Sequence, residues 1–63
     1  MKVYALLANG RYVSSPVTRT TDNVGLAAVM TIEQNSAHDV QAYLQGIHGQ
    51  RATIYQWETR HES

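Results

Sequence analysis

Three histidines are the side chains best suited to acid–base or metal chemistry, and their spacing supports neither. His38 and His48 bracket one segment and His61 lies near the C-terminus. A helical zinc pair needs ligands one turn apart, and no histidine here has a second at i+4 or in an H-x-H pattern. The adjacent carboxylates, Asp39 beside His38 and Glu62 beside His61, are sequence neighbours, which point away from each other on a helix. A charged His38 in a first helical turn would oppose the macrodipole, whereas His48 after a last turn would complement it. The histidines therefore read as surface groups with one helix cap, and no metal ligand set is assigned.

Other chemistry is equally sparse. The chain has no cysteine, which removes disulfides, thiolate metal sites and cysteine nucleophiles together. No G-x-S-x-G surrounds Ser14, Ser15 or Ser36. The glycines at 10, 25, 46 and 49 form no phosphate-binding loop. Asp22, Glu33, Asp39, Glu58 and Glu62 are scattered, with no pair placed for general acid–base work. The expectation is a non-enzymatic protein with no catalytic residue and no cofactor.

What remains is aromatic. Tyr55 and Trp57 alternate on one segment with Arg51 and Arg60 near its ends, and Tyr4 or Tyr12 can lie beside them on a sheet. Tyr, Trp and Arg dominate protein-interface hot spots, and four Tyr, one Trp and no Phe are present. The competing role for Tyr55 and Trp57 is core or subunit-interface packing, since without Phe the large core side chains must be Tyr and Trp. The same residues would also suit a stacking platform for single-stranded nucleic acid or RNA. Five basic and five acidic residues give zero formal charge, which disfavours binding driven by phosphate neutralisation. A protein-binding regulator, adaptor or inhibitor is the first expectation, and a nucleic-acid-binding regulator the second. The size profile is also that of phage- and plasmid-type accessory proteins, an analogy of size alone.

The elements that position these residues follow from periodicity. Asn9-Gly10 between two apolar runs predicts a hairpin with a two-residue type I′ turn. That register sets Leu7 opposite Tyr12 and Leu6 opposite Val13. Val3, Ala5, Leu7 and Tyr12 then share one face, and Tyr4, Leu6, Ala8 and Val13 the other. Pro16 ends the second strand or places it at an edge, and residues 16–23 read as a connector. From Val24 to Glu33, period two places Val24, Leu26, Ala28, Met30 and Ile32 on one face. A third strand is preferred there over a helix capped by Asp22.

Ser36-x-x-Asp39 resembles a capping box, and Val40, Tyr43, Leu44 and Ile47 make the stripe of the best helix, with His48-Gly49 as its stop. Arg51 to Thr59 alternates as a final strand, with Thr53, Tyr55 and Trp57 on one face. The fold class is α+β, in the order β-β-β-α-β. One domain spans residues 1–63, with 60–63 a short polar tail. A strand–helix–strand crossover would make its two strands parallel, and the helix would cover one face of the sheet.

Sixty-three residues cannot build two cores, and a core with neither cysteine nor Phe has little stability in reserve. The uncovered sheet face therefore favours a homodimer, a second copy being its simplest cover. No apolar run approaches a membrane span. The start, Met1 to Ala8, superficially resembles a short secretory leader, but its apolar block is brief and Asn9-Gly10-Arg11 interrupts it. It reads as part of the fold, in a cytoplasmic protein.

Overall fold

The first strand organises the molecule. In the computed structural model, which describes residues 1–57, β1 (Lys2–Leu7) buries Val3, Ala5 and Leu7 to 2% exposure or less, while Lys2, Tyr4 and Leu6 point the other way. This is the two-residue period of a pleated strand. Along one edge of β1 runs β5 (Ala52–Gln56), paired from Val3↔Gln56 to Leu7↔Ala52. Two short strands share the other edge: β2 (Tyr12–Val13) beside Leu6, and β4 (Met30–Thr31) beside Lys2 and Val3. β3 (Thr20–Thr21) extends the sheet beyond β2. Every pairing is antiparallel. Because β4 and β5 both oppose β1 from opposite edges, they run parallel to each other, joined through α1 (Ala37–His48).

The hairpin forms one residue out of the expected register. Leu6, not Leu7, faces Tyr12. Gly10 N–H donates to Leu7 O at 2.9 Å and Leu7 N–H to Arg11 O at 2.8 Å, closing a three-residue loop, 8–10. A type I′ turn requires positive φ at Asn9 as well as Gly10; only Gly10 has it, at 87°. Asn9 instead accepts the Arg11 N–H on Oδ1 at 3.0 Å, a local bond that suits Asn in turns. A slip of one residue exchanges the faces of a strand. Val13 therefore joins the buried side, and Tyr12 joins Tyr4.

The expected third strand across Val24–Glu33 is corrected to two residues, Met30–Thr31. Upstream, Val24–Leu26 is a 3₁₀ turn capped by Asn23, whose Oδ1 accepts the Gly25 N–H at 2.9 Å. The alternating residues Val24 and Leu26 are exposed rather than buried. The reason is tertiary: β2 already occupies the upper half of that β1 edge, leaving room for a short strand below.

The helix matches its expected span, but two details differ. Ser36 makes no side-chain cap; a 3₁₀ turn, Gln34–Ser36, leads directly into α1. The buried stripe is Leu44 with Val40 and Ile47, whereas Tyr43 is 62% exposed. Gly49 ends the helix as expected, in the left-handed region at φ 69° with its N–H on Gln45 O. Leu44 seats against Ala5, Leu7, Val13 and Ala52, with Val17, Met30 and Ile54 around them. The helix thus covers one side of the sheet. Among the described residues no helix is long and apolar enough to cross a membrane.

Candidate interaction surface

The face of the sheet away from α1 carries the aromatic residues, and the three-residue hairpin loop is what gathers them. With Leu6 opposite Tyr12, the side chains of Tyr4, Leu6 and Tyr12 share a side. On the other edge, Tyr4 faces Tyr55, and the register places Lys2 beside Trp57, whose N–H donates to Lys2 O at 2.8 Å. Tyr4 is the hub. Its ring centroid lies 5.9 Å from Tyr12, tilted at 52°, 5.6 Å from Tyr55, stacked at 24°, and 5.5 Å from Trp57, edge-on at 87°. Offset-stacked and edge-to-face pairs each contribute about 0.5–1.5 kcal/mol beyond burial, so the cluster is a rigid plate.

Its surface is accessible. Tyr55 is 43% exposed, and Tyr4, Tyr12 and Trp57 are half-buried. At one end an open depression of about 170 Å³ is lined by Tyr4, Val24, Gln56 and Trp57. Tyr55 and Trp57 thus stand outside the buried core, which is built from aliphatic residues without Phe, Tyr or Trp.

Of the expected basic flank, the described residues include Arg51 alone. Arg51 is exposed and precedes β5 at the end opposite Trp57, about 20 Å away at the rise of a strand. Arg60, the other expected cation, lies outside the described residues, as does His61. Among the described residues the cation beside Trp57 is Lys2, which sequence reasoning missed because the pairing of β1 with β5 was not in hand. Val24 and Gln56 were missed for the same reason. Arg11 is occupied elsewhere, its Nε donating to Thr20 Oγ1 at 2.9 Å and Nη2 to Thr20 O at 3.4 Å.

The histidines take separate positions. His38 is exposed. His48 is half-buried, its Nε2 2.8 Å from Val17 O, so it ties the helix end to the connector after β2. Among the described residues no three His, Asp or Glu side chains converge in a manner able to hold a metal ion. No family model, curated protein or solved structure matches this chain.

Proposed function

We propose that the chain is a small protein-binding regulator, adaptor or inhibitor that acts without chemistry of its own, as a homodimer in the cytoplasm. The observation that carries this reading is the Tyr4-centred plate on the side of the sheet that α1 leaves open. Large, rigid aromatic rings with polar tips supply contact area at low entropic cost, the profile of interface anchors. Tyr55 and Trp57 offer the anchors, the depression beside Val24 offers a socket for a partner side chain, and Lys2 and Gln56 offer polar contacts at its rim.

Single-stranded nucleic acid is the weaker occupant. Base stacking uses free ring faces flanked by cations. Here the face of Tyr4 is taken by Tyr55, Arg11 is bound to Thr20, and Arg51 stands at the far end of the strand. The test is paired capture from a native lysate with the unaltered chain and with Tyr55→Ala and Trp57→Ala, each checked for folding by circular dichroism. The proposal expects one partner protein to be recovered and lost in both variants. Equal recovery with the variants removes these residues as anchors. Salt-sensitive quenching of Trp57 fluorescence by oligonucleotides would transfer the surface to nucleic acid.

A further inference from the structure

β1 has neighbours on both edges, whereas among the described residues β5 has one, β1. The ladder between them defines which backbone groups of β5 are spent. Trp57 N–H donates to Lys2 O, and Ala8 N–H donates to Arg51 O. In an antiparallel ladder such hydrogen-bonded pairs alternate with non-bonded ones. Residues 51, 53, 55 and 57 therefore direct their N–H and C=O groups at β1. Ala52, Ile54 and Gln56 direct theirs outward.

Of those outward groups, among the described residues, Ala52 O alone has a partner: Gln41 Nε2 donates to it at 2.6 Å. Monomeric proteins blunt such edges with Lys, Pro, charges, bulges or a covering helix; α1 reaches this edge at Ala52 through Gln41, and Ile54 and Gln56 carry no such bond among the described residues. The segment Ala-Thr-Ile-Tyr-Gln has no Pro and no charge.

We infer that this edge pairs with β5 of a second copy, antiparallel and centred on Ile54. This rests on the homodimer part of the proposed function and names its interface. Each Ile54 N–H meets the other copy's Ile54 O, and Ala52 meets Gln56 in both halves, where Ala52 O accepts the Gln56 N–H on the lone pair that Gln41 leaves open. Thr53 lies opposite Tyr55 on the aromatic side, a β-branched–aromatic cross-strand pair of the favourable kind. The zero net charge of the chain opposes the approach of two copies by no overall repulsion.

The two-fold axis stands perpendicular to the sheet, so both helices fall on one side and both Tyr4 clusters on the other. This arrangement differs from two sheets stacked face to face: it leaves the aromatic surface open and doubles its width.

Sedimentation of the full chain from micromolar to millimolar concentration tests this, with three variants held to the same circular dichroism as the unaltered chain. Gln56→Pro and Ile54→Pro each remove an outward N–H from both copies while leaving the β1 ladder donors in place. Tyr12→Ala alters the aromatic face on the side of β1 away from β5. The expected result is a dimer that dissociates about tenfold more readily in either proline variant, two hydrogen bonds being lost across the two-fold, and that is unchanged by Tyr12→Ala. If Ile54→Pro does not fold, Gln56→Pro at the exposed strand end decides alone. A chain that stays monomeric, or a dimer indifferent to the proline variants, overturns the inference. A dimer lost in Tyr12→Ala but kept in Gln56→Pro places the contact on the aromatic face instead. Partner capture that depends on Trp57 in a monomeric chain would leave the protein-binding reading standing while removing this interface.

Discussion

The two sides of the sheet are built from different materials. Toward the helix, Val3, Ala5, Leu7, Val13 and Ala52 are almost wholly buried, small and aliphatic, and Leu44 closes over them. Away from it, Tyr4, Tyr12, Tyr55 and Trp57 pack on one another and remain accessible. The first side excludes water with side chains that have nothing to offer a partner. The second keeps its largest side chains where a partner can reach them, held in place by their mutual contacts. A chain this short separates stability from recognition by using strand alternation: each residue of β1 serves one side or the other.

Removing Leu44 should affect the first side most. Leu44→Ala leaves a cavity in a core with few large residues, a loss of about 2–5 kcal/mol. Chains of this size have a total stability of only about 3–9 kcal/mol, so urea unfolding should show a strongly lowered midpoint or a chain already unfolded. A loss below about 1 kcal/mol would mean that Leu44 is not the closing residue. The next effect belongs to the hub of the other side. Tyr4→Leu keeps apolar bulk but removes three ring contacts, for a loss of about 1.5–4.5 kcal/mol. Tyr55→Leu removes one such contact, for about 0.5–1.5 kcal/mol. Equal costs in the same unfolding experiment would show that Tyr4 is not the hub and that the plate is a loose row.

Gly10→Ala should cost about 1–2 kcal/mol, because the backbone at φ 87° is left-handed and unfavourable for a residue with Cβ. That substitution strains the loop on which the placing of Tyr12 depends, without touching either side of the sheet. No change in unfolding midpoint would indicate a loop of different geometry. Smaller still is Gln41→Ala, which removes the bond to Ala52 O at about 0.5–1.5 kcal/mol. It should also free an outward carbonyl of β5, raising self-association in sedimentation as stability falls.

Several elements were legible in the sequence because their signals are local. The helix shows in the spacing of Val40, Leu44 and Ile47, and its stop in Gly49. The final strand and its faces show in the alternation of Ala52, Thr53, Ile54 and Tyr55. The elements that escaped depend on competition between distant residues. Asn9-Gly10 serves both two- and three-residue loops, and the choice between them reverses the side on which Tyr12 and Val13 fall. Burying Val13 with Ala5 and Leu7, and gathering Tyr12 with Tyr4, favours the longer loop only once both sides of the sheet are considered. Val24–Glu33 alternates well enough for a strand, yet the edge it would need is already held by β2, and Asn23 caps a 3₁₀ turn instead. Tyr43 fits the helical stripe by spacing but lies at its margin, where the narrow sheet does not reach. Tyr4, Tyr12, Tyr55 and Trp57 were each named from the sequence, but the two-residue loop would have put Tyr4 and Tyr12 on opposite faces, so their gathering was not legible there. Lys2 was not among the cations named from the sequence, because its place beside Trp57 follows from the β1–β5 pairing.

The central claim is that the three-residue hairpin loop assembles one aromatic plate opposite the helix. Proton NMR of the full chain tests it most directly, through nuclear Overhauser contacts among the ring protons. Contacts from Tyr4 to Tyr12, Tyr55 and Trp57, with none from Tyr12 to Leu44, are the predicted result. Contacts from the Tyr12 ring to Leu44 or Val40 would place that ring under the helix, restore the two-residue loop and contradict the account.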